Sequence, residues 1–461
     1  MRFGAASLSA ALLPVVSADV QREPRLRIGI LSDVHLRDSS ASQKLELALL
    51  AFRKGRVDGV LICGDLTENG VVPQLEELAK IWEKVFPGSK GLDGNHVERL
   101  FHYGDHDNRG HWMSGEDVKV CSRYGWSEEE LSGNACFRDP RKHWERIFGE
   151  PWQPIVHKNV KGYDFILAHY TKRGWKAAEG IKTFLRNFHP AADRPFFYSQ
   201  HRVFRNTVCG PAVWGQDDGT VGKLLSAFPN CCAFCGHSHM TAVREDSIWQ
   251  GDFTAIQVPA LRYVTRESGH DNRINGFFAA QGMMLSVYGD RMIIDRLDFA
   301  SKGRLAPSWI VPFESKERPY AHELRRKRAV VPEFPIGARI EAAIRVSVDK
   351  NRKKRKTLTL SFPVVTGLAG GVRAYDYEVT VCALCFGGAV SHEVRRYFSP
   401  KCDFAPSADA EKMTVSFPLD GFKIWKTLKS PTYGALHVEV RPREVFGGRG
   451  NPLVADLTAC G

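Results

Sequence analysis

The feature that most constrains the fold of this chain is an alternation of apolar and amphipathic runs between residues 26 and 107. Three apolar runs have the composition of buried strands, and two runs with helical periodicity separate them. Each apolar run ends in a small cluster of Asp, Gly and His: RLRIGIL precedes SDVH, DGVLIC precedes GDLTENG, and VERLFHY precedes GDHD. This order predicts an α/β sheet with parallel strands, in which functional groups gather beyond the carboxyl ends of the strands.

The same pattern returns after a long interruption. Residues 108–193 are rich in Trp and contain one further strand pattern, YDFILAHY, and we interpret them as an insertion that forms a cap or a wall of a site. The chain then continues as strand (DRPFFYSQHRVF), helix (GTVGKLLSAF) and strand (CCAFCGHSH), and GMMLSVYG with RMIIDRLDF predicts an antiparallel hairpin. Residues 19–312 are therefore predicted to form a layered α/β sandwich with central mixed sheets.

The length of 461 residues indicates more than one domain. Residues 313–335 are charged and contain proline, which is typical of a linker. Five short runs follow, from IEAAIRVSV to GALHVEVRP, with turn signals between them. They predict a small all-β sandwich domain over residues 336–461.

The first 18 residues have the pattern of a secretory signal peptide. Arg2 precedes an apolar run, and small residues lie at a cut site after Ala18. A short buried helix is the alternative, but Pro14 argues against it. We therefore expect a periplasmic or secreted protein with no membrane span after the signal is removed.

Neither the eleven cysteines nor the net charge of +12 points to a specific site or partner. Cysteines in apolar strand-like runs are usually small buried hydrophobes. Cys382 and Cys385 have the spacing of a zinc or disulfide pair, but no second such pair accompanies them, so zinc is not favoured. Basic runs at 322–332 and 349–358 carry no nucleic-acid motif, so no nucleic-acid partner is expected.

The polar groups at the strand ends are of the residue types that bind divalent cations. Two cations a few ångströms apart need about this many ligands, with one carboxylate shared between them. A single H-x-H such as His237 and His239 is weak evidence, but five separate clusters at predicted strand ends reinforce one another. The groups are Asp33, His35, Asp65, Asp105, His106, His201, His237 and His239.

In order, these clusters resemble the motifs of the calcineurin-like metallophosphoesterases. That family has D-x-H, G-D, G-N-H-[DE], a lone H and G-H-x-H, matched here by SDVH, CGDL, YGDHD, SQHR and CGHSH over residues 26–300. The flanking NTVCGPAVWGQDDG and IWQGDFTAI also look like a bacterial, often exported branch in which a fibronectin-like module follows the catalytic domain.

The resemblance implies a centre of two divalent metal ions, of Mn, Fe, Zn or Mg type. One ion would be held by Asp33, His35 and His239, the other by Asp105, His201 and His237, with Asp65 as the bridge. The ions would neutralise the phosphoester and supply hydroxide near neutral pH. His106 would donate a hydrogen bond to the leaving oxygen or protonate it, oriented by Asp107. Glycines 64, 104 and 236 would allow the sharp turns between strand and loop.

One position departs from the family pattern, because Asp105 stands where the family has Asn. A carboxylate coordinates a metal as readily as an amide oxygen, but its charge should weaken attraction for an anionic substrate and strengthen metal retention. A second candidate for this position is Asn95, in Gly94-Asn95-His96, which has no strand pattern ahead of it.

The sequence thus predicts hydrolysis of a phosphoester, either mono- or diester, on a phosphorylated small molecule or polymer. The alternative is a non-catalytic binding protein on the same fold, for which Asp105 is the best argument. The intact pair of His106 and Asp107 favours the enzyme. A nucleic-acid-binding role is a more distant alternative.

Overall fold

The computed structural model describes residues 23–109, 140–171, 180–265, 279–301, 303–313, 317–348, 354–365, 374–385, 388–399, 411–419 and 433–458. The predicted signal peptide, residues 1–18, lies outside these ranges. Among the helices within them, none is long and apolar enough to cross a membrane.

The described residues of the first part of the chain form two six-stranded sheets and five α-helices. The strands are β1 (Leu26–Leu31), β2 (Gly59–Cys63), β3 (Glu98–His102), β4 (Ile155–Val160), β5 (Tyr163–Ala168), β6 (Phe196–Gln200), β7 (Cys231–Cys235), β8 (Ile248–Gln250), β9 (Thr254–Gln257), β10 (Gln281–Val287), β11 (Arg291–Asp298) and β12 (Gly303–Pro312). The helices are α1 (Ser39–Lys54), α2 (Val72–Val85), α3 (Trp144–Phe148), α4 (Ile181–Asn187) and α5 (Thr220–Leu225).

The first sheet has the strand order β12-β11-β10-β1-β2-β3. Its strands β1, β2 and β3 are parallel, as predicted, whereas β10, β11 and β12 add to the edge of β1 in antiparallel fashion. The expected hairpin is therefore confirmed and extended by a third strand. The second sheet has the order β4-β5-β6-β7-β9-β8, in which β5, β6, β7 and β9 are parallel.

The two sheets pack face to face and helices cover their outer faces. Ile28 and Ile30 of β1 share one buried cluster with Phe165 and Phe234 of the second sheet. On the other face of the first sheet, Phe52 and other residues of α1 and α2 form a second cluster. A third cluster lies beneath α4 and α5. The central strands are buried on both faces, which explains why their sequences are continuous apolar runs. The α/β sandwich with mixed sheets is therefore confirmed.

The segment 108–193 does more than the predicted insertion. It contributes two strands, β4 and β5, and β5 pairs with the central strand β6. Only one strand was expected, because the apolar residues of the first run, IVHKNV, are interrupted by His-Lys-Asn, as its half-exposed position at the edge of the sheet allows. Residues 110–139 and 172–179 lie outside the described ranges, so the prediction of a cap over them stays a prediction.

The last part of the chain is an all-β unit, as predicted. Its strands are β13 (Glu341–Val348), β14 (Lys354–Pro363), β15 (Asp376–Cys385), β16 (Gly388–Phe398), β17 (Lys412–Pro418), β18 (Tyr433–Arg443) and β19 (Leu453–Thr458). They form antiparallel sheets of order β13-β14-β17 and β16-β15-β18-β19 around one apolar core. The described residues of this unit contain seven strands where five were expected. The predicted linker contains a short helix, α6 (His322–Arg328).

The described cysteines do not form the pair that the sequence allowed. Cys382 is a free thiol, and the structure does not describe the side chain of Cys385. Cys63, Cys231 and Cys235 are buried free thiols, as expected for cysteines in strand runs.

Candidate metal centre

Most of the predicted ligands lie in left-handed backbone, immediately after buried strands. A positive φ is uncommon for residues with a side chain, and it costs free energy that the surrounding structure must offset. Such residues cluster at functional sites. The φ angles are 52° at Asp33, 46° at His35, 51° at Asp65, 70° at His237 and 56° at His239.

The first ligand group consists of Asp33, His35 and His239. Oδ1 of Asp33 lies 3.1 Å from Nε2 of His239 and 3.9 Å from Nε2 of His35, and the two Nε2 atoms lie 3.2 Å apart. The other oxygen of Asp33 accepts hydrogen bonds from the hydroxyl of Ser32 (2.6 Å) and the backbone N–H of His237 (3.0 Å). Those two donors fix the carboxylate so that Oδ1 is turned toward the histidines.

The second ligand group consists of Asp105, His201 and His237. Oδ1 of Asp105 lies 3.1 Å from Nε2 of His201 and 3.1 Å from Nδ1 of His237. The two ring nitrogens are also 3.1 Å apart. One oxygen and two nitrogens therefore converge on one point, as in the first group.

Asp65 lies between the two groups. Its Oδ2 is 3.5 Å from Nε2 of His35 and 3.3 Å from Nε2 of His201. Its Oδ1 accepts a hydrogen bond from the backbone N–H of His106 at 2.9 Å, which holds Oδ2 in place. This is the position that a bridging carboxylate needs.

Three of the four ligand histidines are oriented through Nδ1, so that Nε2 faces the centre. A partner on one ring nitrogen fixes the tautomer and leaves the other nitrogen as a ligand. The partners are the carbonyl oxygen of Cys63 for His201 (2.8 Å), the carbonyl oxygen of Tyr263 for His239 (3.0 Å) and Oε2 of Glu68 for His35 (3.2 Å).

His237 is turned the other way. Its Nδ1 faces Asp105, while its Nε2 lies 2.5 Å from a guanidinium nitrogen of Arg202. The indole of Trp214 stacks on the imidazole, with ring centroids 4.3 Å apart. Trp214 thus holds one face of the ring, and the guanidinium, which can only donate, places the proton of a neutral His237 on Nδ1, so a cation at Nδ1 would have to displace that proton.

The electrostatics of the centre favour bound positive charge. Burial opposes ionisation of Asp65, but His201 and His106 outweigh it and lower the pKa of Asp65 to about 2. Burial also opposes protonation of His201, yet Asp65 and Asp105 raise the pKa of His201 well above its usual range. Burial lowers the pKa of His237 to about 4. Ionised carboxylates therefore draw protons onto His201 in a metal-free chain, and cations would displace those protons.

Two carboxylate oxygens show that the residues fit such cations. Oδ1 of Asp33 and Oδ1 of Asp105 are buried, and among the described residues only the ring nitrogens of the ligand histidines, 3.1 Å away, could donate a hydrogen bond to them. A buried polar atom without a partner costs about 1–3 kcal/mol, so it calls for an explanation. Each of these atoms is the oxygen at which its histidines converge, and a cation there would satisfy both.

His106 lies beside the first group, but Asp107 does not orient it. Nδ1 of His106 is 2.9 Å from the carbonyl oxygen of Glu68 and 3.7 Å from the carboxylate of Glu68. The prediction that Asp107 positions this ring is therefore wrong, and Glu68 takes that place. The carboxylate of Asp107 instead accepts hydrogen bonds from the backbone N–H groups of Leu66, Thr67 and Gly104 and from the hydroxyl of Thr67, at 2.7 to 3.1 Å.

The glycines of the motifs serve two different purposes. Gly64 has a φ of 83°, as a turn into left-handed backbone requires. Gly104 and Gly236 are needed for close approach instead. A Cβ atom would lie 2.1 Å from Oδ1 of Asp65 at Gly104, and 1.8 Å from the hydroxyl of Ser32 at Gly236.

Asn95 does not lie in the candidate metal centre, at the position where the family motif has Asn. Its side chain is exposed and donates a hydrogen bond to Asp93 at 2.9 Å, and the neighbouring His96 contacts Glu98. Asp105 is therefore the third-motif residue in the centre.

Glu68 and Arg202 were missed by the sequence interpretation. Each lies next to a motif: Glu68 three residues after Asp65, and Arg202 directly after His201. A charged residue beside a motif was the available signal, but only the fold shows that both side chains turn toward the ligands.

The sequence from residue 26 to residue 240 matches the family described as calcineurin-like phosphoesterase. No curated protein matches the chain significantly. A dimetal phosphatase from Danio rerio is 12% identical, with a TM-score of 0.36, over 63% of this chain and 100% of that one. Purple acid phosphatase PPD1 from yellow lupin seeds is 11% identical, with a TM-score of 0.41, over 62% and 53%. GAP50, the anchor in the inner membrane complex of Plasmodium, is 12% identical, with a TM-score of 0.38, over 63% and 90%.

Proposed function

Because residues 26–240 match the calcineurin-like phosphoesterase family, we propose that this chain hydrolyses a phosphoester with the help of two divalent cations. The observation that carries the proposal is the convergence of two ligand groups on either side of Asp65. Each group offers one carboxylate oxygen and two ring nitrogens, and among the described residues the inward oxygens of Asp33 and Asp105 have no potential donor other than those ring nitrogens.

The ligand set suits Mn, Fe, Zn or Mg. One cation would be held by Asp33, His35 and His239, the other by Asp105, His201 and His237. When bound, the cations would polarise the phosphoryl oxygens and make hydroxide available near neutral pH. Asp65 would keep the two positions at a fixed separation through its Oδ2.

His106 would move the proton. Its Nδ1 is held by the carbonyl oxygen of Glu68, so Nε2 is the nitrogen free to serve the leaving oxygen. The carboxylate of Glu68 lies 3.7 Å from Nδ1 and favours the protonated imidazole that such a donor needs. Burial opposes protonation and lowers the pKa of His106 to about 4, so near neutral pH the ring would take up the proton only beside a bound anionic phosphoester.

The test combines metal analysis of the purified chain with a panel of chromogenic mono- and diesters. We expect about two divalent metals per chain and hydrolysis that a chelator abolishes. Bound metal without turnover of any ester would indicate the alternative, a non-catalytic binding protein on the same fold. A chain that binds no divalent metal would contradict the proposal.

We further propose that the protein acts in the periplasm or is secreted, and that the all-β unit is a fibronectin-like module. The signal-peptide pattern of residues 1–18 supports the first part, and the two antiparallel sheets support the second. The N-terminal sequence of the mature protein from its source cell tests the location. A mature chain that begins at Met1 would contradict it.

A further inference from the structure

Arg202 lies at the end of β6, next to the ligand His201. Its carbonyl oxygen accepts a hydrogen bond from the side chain of Gln200 at 2.9 Å, and the same amide donates to Asp217 at 2.9 Å. The Arg202 side chain is only 12% exposed, and its guanidinium lies 5.5 Å from the ring centroid of Tyr170. The charge therefore has a fixed position at the rim of the metal centre.

The guanidinium contacts two ligands, both of the second group. One of its nitrogens is 3.5 Å from Oδ2 of Asp105, and another is 2.5 Å from Nε2 of His237. The first group has a neighbour of opposite charge, because the carboxylate of Glu68 lies 3.2 Å from Nδ1 of His35. Glu68 is itself paired with Arg37 and Arg109, each at 3.9 Å, whereas Arg202 lies beside the ligand carboxylate of Asp105 itself.

The charge of Arg202 matches the one departure from the family motif. Where that family has a neutral Asn, this chain has Asp105, which adds one negative charge to the centre. Arg202 adds one positive charge within ion-pair distance of the same carboxylate. With both residues present, the charge at the second position returns to the value that an Asn alone would give.

We propose that Arg202 is the countercharge of Asp105. It lets a carboxylate serve as ligand while the centre keeps the positive charge that attracts an anionic phosphoester. Arg202 is therefore a positioning and charge-balancing residue of the second cation position, and the proposal rests on the two-cation function proposed above.

The test is a titration of metal into the metal-free chain, without any anion, followed by titration of vanadate into the loaded chain. Arg202→Gln removes the charge. In this variant we expect about tenfold tighter binding of the metal at the second ligand group and unchanged binding of the metal at the first. Vanadate should bind about tenfold more weakly, because loss of the guanidinium charge favours a nearby cation and disfavours a nearby anion. Arg202→Lys keeps the charge and should remain close to wild type. The exposed Arg205, three residues further on, supplies the control Arg205→Gln, which should change neither affinity.

The double variant Asp105→Asn, Arg202→Gln restores the family arrangement. Both affinities should return to within about threefold of wild type, because equal and opposite charges have been removed. Weaker vanadate binding in Arg202→Gln with unchanged metal affinity would overturn the proposal and make Arg202 a direct contact of the phosphate. Weaker binding of the second metal would also overturn it. If the proposal for Arg202 fails but the wild-type chain still binds metal and hydrolyses esters, the proposed function stands. A wild-type chain that binds no metal would refute the role of Arg202 and the proposed function together.

Discussion

At the scale of single residues, His237 and His239 face different ligand groups although they are two positions apart. His239→Ala should remove the metal of the first group and His237→Ala that of the second, each leaving about one metal per chain in place of about two. Hydrolysis should be lost in both variants while unfolding stays cooperative. Metal analysis with circular dichroism checks this, and exposed His96→Ala is the control. About two metals per chain in either variant would contradict the assignment.

His106 should matter in proportion to how poor the leaving group is. A good leaving group departs with little help from a proton, whereas an alkoxide needs one. His106→Ala should therefore lose on the order of 10²-fold or more in kcat on an alkyl ester. The loss on a nitrophenyl ester should be much smaller. Equal losses on both esters would assign His106 to substrate binding instead of proton transfer.

The sequence predicted that these seven side chains come together, because a motif fixes residue type and order and the strand ends then bring the residues close. Their role as metal ligands stays a prediction. The sequence could not predict the partners of the ligands. Asp107 was assigned to His106 because they are neighbours in sequence, yet its carboxylate clamps the Leu66–Thr67 backbone. Which side chains come into contact depends on the backbone conformation of each loop. A residue with left-handed backbone changes the direction in which the following side chains point, and the sequence does not show where such residues lie.

At the scale of elements, strands with continuous apolar runs were predictable and short or interrupted ones were not. β1, β2 and β7 are buried on both faces and read clearly as strands. β8 has three residues, and β12 contains two prolines in the run GRLAPSWIVP. Helix α6 has no buried residue, so its sequence has no apolar stripe from which a helix could be predicted. Tertiary pairing forms such elements, and local sequence carries little of that information.

Strand β3 is joined to β6 of the other sheet through a buried histidine. Nε2 of His102 lies 2.7 Å from the hydroxyl of Ser199, and burial lowers the pKa of His102 to about 3. The unfolded chain takes up a proton near pH 6.5 that the folded chain refuses, so protonation favours unfolding. The stability from His102 is complete above about pH 6.5 and is lost as the pH falls toward 3.

This linkage can be measured with His102→Gln. The wild type should exceed the variant in free energy of unfolding at pH 7, and the difference should shrink steadily from pH 6.5 to pH 4. Urea unfolding at four pH values gives the two curves, with exposed His189→Gln as the control. A difference that does not change with pH would show that His102 has the same pKa in the folded and the unfolded chain.

At the scale of the whole molecule, the all-β unit is attached to the α/β part by buried charged and aromatic contacts. Arg244 pairs with Asp246 at 2.6 Å and lies 5.1 Å from the ring centroid of Tyr375. Arg325 of α6 pairs with Glu245 and lies 5.1 Å from the ring of Phe446. Such contacts join the two parts more firmly than a linker alone would.

Tyr375→Ala should uncouple the two parts. Loss of a large buried ring costs on the order of 3 kcal/mol, here at the contact with Arg244. We expect calorimetry to show two separate unfolding transitions in the variant and a single one in the wild type. Tyr375→Phe keeps the ring and should keep one transition. A single transition in Tyr375→Ala, merely shifted to lower temperature, would place the ring in the core of one unit.

The loop after β7 has a consequence for how the protein is made. His237 and His239 complete both ligand groups, and Asp33 lies 204 residues before His237. A growing chain therefore holds no full set of the proposed ligands for either ion until residue 239 has been synthesised. Capture of the proposed ions would have to follow synthesis of that loop, and the compartment where the loop docks would determine which metals are available.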